Sequence, residues 1–116
     1  MFLSSLLLSL CVFGILEEIP DEARIAWAIH DLRIIYYLKG DLEKAENLTL
    51  RSIRIKRQKE DSQGIAVSLS QLGVIRMKQG ENEEAKKLFS EAYQIAKKLP
   101  NKKLIKKITS YLKFLT

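Results

Sequence analysis

Gly40-Asp41-Leu42-Glu43-Lys44-Ala45 returns as Gly80-Glu81-Asn82-Glu83-Glu84-Ala85, an offset of 40 residues that organises most of the chain. The register extends outward in both directions: Ile25, Ala26, Leu32, Ile35, Leu48 and Ile55 fall on Ile65, Ala66, Leu72, Ile75, Leu88 and Ile95. Self-similarity at this period is the mark of one supersecondary unit copied and stacked. Within each copy the apolar residues recur at three- and four-residue steps, as in Ile25, Ile29, Leu32, Ile35 and Tyr36, or Leu69, Leu72 and Ile75. That spacing is helical, and no run alternates with period two for long enough to make a strand, so the chain reads as all-α.

The helices are expected over about 22–39, 41–59, 64–79 and 82–98, with one more after Asn101. Gly40 and Gly80 supply the positive φ that a chain needs just past a helix end, and Asp41 and Glu81 open the next helices, where negative charge suits the N-terminal dipole. The inner stripes of these second helices read as Ala45, Leu48, Ser52 and Ile55, and as Ala85, Leu88, Ala92 and Ile95. Alanine at 45 and 85 permits close helix approach. Lys56, Arg57 and Lys59, and Lys97 and Lys98, suit the carbonyl ends. Asp61-Ser62 and Pro100-Asn101 carry turn chemistry. The last helix places Leu104, Ile108, Tyr111 and Leu115 on one face, beside Ile105 and Leu112.

Four segments follow: an apolar stretch over 1–20, units over 21–60 and 61–100, and a basic capping helix over 101–116. The run Phe2 to Leu16 is uncharged and closes at Glu17 and Glu18. It is short for a membrane span, which needs about 20 apolar residues. It has the short core of a secretory signal but no preceding cation. In the 40-residue register Ser5 to Ile19 aligns with Ala45 to Lys59, as the second helix of a partial unit. Repeat helix, signal and anchor are the three readings.

The chain of 116 residues carries 20 Lys+Arg against 14 Asp+Glu, a formal charge of +6. Seven of those cations, Lys97, Lys98, Lys102, Lys103, Lys106, Lys107 and Lys113, follow Glu91 with no acid among them; the other 13 face 14 acids over residues 1–91, a net −1. This tail is either a solvated face or an arm for nucleic acid or an acidic surface. Cys11, the only cysteine, excludes an internal disulfide and fits a reducing compartment; among apolar neighbours it reads as an inert thiol.

Catalytic and metal chemistry find no constellation. His30 is the only histidine, Asp31 beside it makes a surface pair, and no Cys/His cluster has zinc spacing. Glu43, Glu46, Glu81, Glu83 and Glu84 sit in first helical turns, where the dipole favours acids without acid–base work. Isolated glycines suggest no phosphate loop. Asn47-Leu48-Thr49 matches the glycosylation triplet but lies inside an expected helix. No enzyme activity, cofactor or metal is expected.

Leu69, Leu72-Gly73, Gly80, Ala85, Phe89, Ala92 and Pro100 resemble the tetratricopeptide repeat, a helix–turn–helix unit with a large apolar residue, Leu-Gly, Gly, Ala, an aromatic, Ala and Pro in these slots. The preceding unit keeps Ile29, Leu32, Gly40, Leu42 and Ala45 but has Arg33 for Gly, Thr49 for the aromatic and Ser52 for Ala. The insertion around Glu60 to Ala66 is similar to the long-period variety of the family. The resemblance covers residues 21 to 100 and implies a superhelical array of α-α hairpins, with half-repeat or capping helices at its flanks. It also implies a protein–protein interaction module holding a partner's peptide or helix on the concave surface of its first helices. By matching slots that surface presents Trp27, His30, Asp31, Ile34 and Tyr37, then Val67, Ser70, Gln71, Val74, Met77 and Lys78. Trp27 and Tyr37 are the natural anchors, unless Trp27 packs against the N-terminal segment. The Lys/Asn/Arg clamp of the family's chaperone-tail binders is absent, since His30, Ile34 and Gln71 hold its places.

The expected role is therefore a scaffold for a protein or peptide partner, in the cytoplasm, or secreted or membrane-anchored if the N-terminal run serves that purpose. The alternative is association of the lysine-rich last helix with nucleic acid or an acidic surface. Two complete units are fewer than the three or so usual for stability, so self-association through the apolar ends, Leu3 to Ile19 and Leu104 to Leu115, is also expected.

Overall fold

A computed structural model describes residues 21–116, apart from the side chains at 22 and 23. Five helices follow one another: α1 (Asp21–Lys39), α2 (Leu42–Gln58), α3 (Ser62–Lys78), α4 (Asn82–Ala96) and α5 (Lys102–Leu115). No strand occurs among the described residues, and none of the helices is long and apolar enough to cross a membrane. The readings of residues 1–20, Cys11 included, lie outside the described residues.

Local chemistry beats at about every 20 residues. N-caps stand at 41, 61, 81 and 101. The Asp41 carboxylate accepts from the Lys44 amide at 3.3 Å, Asp61 from the Gly64 amide at 3.0 Å, and the Asn101 side-chain oxygen from the Leu104 amide at 3.1 Å. Each satisfies an amide that helix geometry leaves without a partner. Glu81, one methylene too long for that geometry, makes no side-chain cap bond. The residues just before the first three caps, Gly40, Glu60 and Gly80, have φ of 84°, 55° and 82°. Around them the paired closing bonds of a Schellman turn form: Gly40 N to Tyr37 O and Asp41 N to Tyr36 O, repeated by 60/57 and 61/56 and by 80/77 and 81/76.

Such tight turns fold each helix back along its predecessor. Lys44 near the start of α2 lies 5.2 Å from the Tyr36 ring near the end of α1. Arg76 near the end of α3 pairs with Glu46 near the start of α2 and, at 3.1 Å, with Glu84 in the first turn of α4. Alternate helices run alongside: Lys78 lies 5.8 Å from the Tyr37 ring, joining the ends of α3 and α1, and Arg57 pairs with Glu91 at 3.3 Å, joining α2 and α4.

The core centres on α3 and α4. Phe89 is fully buried, its ring stacked 4.8 Å from that of Tyr111 on α5. Its edge lies against Gly73, where an added Cβ would stand 2.8 Å from Phe89 Cζ. Leu69, Leu72, Ile75, Ala85, Ala92, Ala96, Leu104 and Ile108 complete the packing, with Ile53 reaching in from α2. Burying each large side chain contributes roughly 1.5–3 kcal/mol. α3 is covered from both sides, which explains why it is apolar round most of its circumference.

Two expected stripes shift. On α2 the buried line is Ala45, Thr49 and Ile53, with Leu48, Ser52 and Ile55 half-buried at its edge; on α4 it is Ala85, Phe89, Ala92 and Ala96, with Leu88 and Ile95 half-buried. The close approach allowed by the alanines rotates each second helix so that the residue four beyond the alanine points inward. On α1, of the expected stripe, only Ile29 is buried; Ile25, Leu32 and Ile35 are 41%, 42% and 45% exposed. Their counterparts Ile65, Leu72 and Ile75 are buried beside α2, the helix before α3. α1 is the first described helix, so no described helix precedes it.

Candidate functional site

α1, α3 and α5 stand side by side, and a groove runs between them. It consists of cavities that share walls. One of about 120 Å³ lies between α3 and α5, bordered by Val67, Ser70, Gln71, Val74, Leu104, Lys107 and Tyr111. A second, about 220 Å³, lies between α1, α2 and α3 and is bordered by Ala26, Trp27, Ile29, His30, Arg33, Ser52, Lys56 and Gln71. Arg33 and Gln71 also border a third, about 270 Å³, with Tyr37, Val74, Lys107 and Tyr111. Tyr37, Val74 and Tyr111 continue into a fourth, about 280 Å³, with Met77 and Lys78.

Nine of the sequence-predicted groove residues meet here: Trp27, His30, Tyr37, Val67, Ser70, Gln71, Val74, Met77 and Lys78. Trp27 is 59% exposed and stands at a cavity wall, as an accessible anchor would. Ser70 is the most buried of the set, its hydroxyl donating to the Ala66 carbonyl at 2.9 Å. Asp31 and Ile34 border none of these four cavities; Asp31 is exposed and Ile34 half-buried. Their counterparts Gln71 and Val74 sit on a helix flanked from both sides, whereas α1 has a described neighbour on its α3 side only.

The slot match did not assign Arg33, Lys56, Lys107 or Tyr111 to the groove. Lys107 and Tyr111 were within reach, because one more step of 40 residues from Val67 and Gln71 arrives at them. Arg33 stood out only as a departure from the family's glycine. The position of Lys56 depends on the packing of α2 against α3: its ammonium donates to Ser68 Oγ at 2.8 Å, and that oxygen lies 3.4 Å from Ser52 Oγ.

The electrostatics of the groove are one-sided. Arg33, Lys56, Lys78 and Lys107 border these four cavities and no Asp or Glu does. Burial pushes the Arg33 guanidinium below its ordinary range, against an opposing influence of Tyr37. Lys56 is also lowered, chiefly by burial and further by the charge of Arg33, with Asp61 pulling the other way. Partial burial disfavours the charged form of each. Among the described residues no three His, Cys, Asp or Glu side chains converge as metal ligands. Serines, glutamine, tyrosines and cations along a partly apolar trough offer hydrogen bonds, ring faces and charge to an elongated ligand.

No protein-family model matches the chain, and no curated protein matches it.

Proposed function

We propose that this chain is a tetratricopeptide-like interaction module of the long-period kind, holding a peptide segment of a partner protein in the α1–α3–α5 groove. The single observation that carries the reading is the chain of wall-sharing cavities along these three helices, with Trp27, Tyr37 and Tyr111 spaced along it. Rigid aromatic side chains give large contact area at small entropic cost and dominate binding where they fill pockets. Support for the repeat itself comes from the recurrence of caps and Schellman turns, and from Gly73 facing Phe89 in the slots where the family places glycine and an aromatic. The work of such a groove is recognition rather than catalysis.

The test is selection of twelve-residue displayed peptides on the full chain. Trp27→Ala with Tyr37→Ala is expected to abolish capture while helicity by circular dichroism persists. Failure to enrich any peptide would overturn the reading. Binding of a twelve-nucleotide single strand that falls steeply with salt and ignores both substitutions would instead favour the exposed lysines of α5 as the working surface.

A further inference from the structure

Cations in this molecule are treated in two ways. On the side formed by α2 and α4 three of them meet acids: Arg76 is held by Glu46 and Glu84, Arg57 by Glu91, and Lys44 by Asp41 at 3.7 Å. In the groove they do not. Among the described residues Arg33, Lys56, Lys78 and Lys107 form no ion pair, and none of the residues bordering the four cavities is acidic. Asp31, the one acid among the predicted groove residues, stands outside the cavities.

Arg33 and Lys56 make the sharpest case. Both are half-buried, and both border the same cavity of about 220 Å³ together with Trp27, His30 and Gln71. Burial opposes the charge of each, with Tyr37 acting the other way on Arg33 and Asp61 on Lys56. Placing two like charges in a partly desolvated site, with only Asp61 outside the four cavities to offset that of Lys56, is unfavourable, and an incoming anion would relieve it. Donor capacity is available. The Arg33 fork makes no hydrogen bond to another described residue, and Lys56 spends one of its three donors on Ser68. A planar fork beside an ammonium fits a carboxylate by paired charge-assisted bonds. Further along the groove Lys107 stands by Tyr111, and Lys78 by Tyr37.

We propose that the partner segment taken by this groove is acidic, with one Asp or Glu carboxylate seated between Arg33 and Lys56 beside Trp27 and a second acid meeting Lys107. This rests on the peptide-groove reading above and deepens it. A peptide is favoured over a free phosphate because the trough continues past the cations along Val67, Val74 and Met77, which a small anion would leave uncovered. It is favoured over nucleic acid because the groove cations lie among apolar and aromatic walls, whereas the exposed lysines Lys102, Lys103 and Lys106 of α5 border none of these cavities.

Trp27, the only tryptophan in the chain, sits in the wall of this cavity and reports on its occupancy by fluorescence. Unbiased twelve-residue peptides selected on the full chain should be enriched in Asp and Glu and should shift the Trp27 emission. Arg33→Gln and Lys107→Gln should each weaken the selected peptide about tenfold, the loss of one charge-assisted contact. Lys103→Gln should leave affinity unchanged. Replacing the peptide acid seated at Arg33 by Gln should weaken it similarly and remove its sensitivity to Arg33→Gln, the signature of a direct pair. Lys107 is exposed, so its replacement reads charge and not folding; circular dichroism checks Arg33→Gln. Neutral or basic peptides that shift Trp27 and ignore Arg33→Gln would overturn the acidic assignment while leaving the groove standing. No enrichment of any peptide would overturn both. Competition by inorganic phosphate or a twelve-nucleotide single strand at the peptide's own potency would overturn the peptide as the source of the anion.

Discussion

The two helix pairs occupy the same register but settle one contact in opposite ways. In the second pair Gly73 on α3 gives its space to the ring of Phe89 on α4, which is fully buried. In the first, the matching slots hold Arg33 on α1 and Thr49 on α2. Thr49 is equally buried, but its hydroxyl donates to the Ala45 carbonyl at 2.8 Å and it brings no ring across. With no ring to admit, α1 has no need of a glycine, and the side chain that replaces it borders the groove. One exchange thus moves bulk out of a helix interface and charge into a candidate site. Stability is concentrated in α3 and α4, and recognition chemistry at the seam between α1, α2 and α3.

The largest effect should come from testing that asymmetry directly. Phe89→Ala is expected to cost about 3–5 kcal/mol, as a buried ring lost from a packed core, together with its stacking on Tyr111. Thr49→Ala, in the same slot of the first pair, should cost roughly 1 kcal/mol, the scale of a modest buried hydrogen bond. Urea midpoints of the two variants measure the difference. Equal losses would dissolve the contrast.

A step smaller are substitutions that probe what the pairs share. Ala45 and Ala85 both have no exposed surface. Leucine at either should overpack the interface and cost on the order of 1–3 kcal/mol. Gly73→Ala should fall in the same range, since the new methyl group meets the Phe89 ring and the gain in helix propensity offsets only part of the strain. An unchanged denaturation midpoint for Ala85→Leu would show that the close approach is not where the register puts it.

Much of this was legible in the sequence, because helix limits and turns are set locally. Gly40, Gly80, Asp41, Asp61 and Asn101 act within a few residues of themselves, and the expected helix limits lie within about three residues of the observed ones. The rotation of α2 and α4 was less legible: periodicity gives a face and not its centre, which is settled by how closely Ala45 and Ala85 let the neighbours approach. The exposed stripe of α1 was hidden for a related reason, since an apolar stripe does not state what covers it. Most of the groove followed from matching slots on the first helices. Lys56 did not, because it enters the site from α2, through a contact between residues distant in sequence.

Smaller still, Arg33→Met should raise the unfolding free energy, read from the denaturation midpoint, by up to about 1 kcal/mol. Methionine keeps the half-buried stem, while the desolvated charge and its repulsion of Lys56 disappear. A Lys whose folded-state value is lowered loses least stability once it is neutral. The contribution of Lys56 should therefore become more favourable as pH climbs from its depressed value toward 10.5, and Arg33→Met should flatten that rise. A destabilised Arg33→Met would mean the guanidinium has a structural partner in solution.

The smallest effect lies in the turns, where the two pairs differ from the joint between them. Inside each pair the left-handed residue is glycine, at 40 and 80; between the pairs it is Glu60, at φ 55° with the same closing bonds. A residue with a Cβ carries a cost of about 1 kcal/mol in this conformation, which glycine escapes, although glycine is looser in the unfolded chain. Glu60→Gly should therefore stabilise by a few tenths of a kcal/mol to about 1. Gly40→Ala and Gly80→Ala should destabilise by roughly 1 kcal/mol each, and no atom lies within 4 Å of the added methyl at either site, so the loss reads backbone conformation alone. If Glu60→Gly instead lowers the midpoint, the glutamate side chain contributes to this turn beyond its closing bonds.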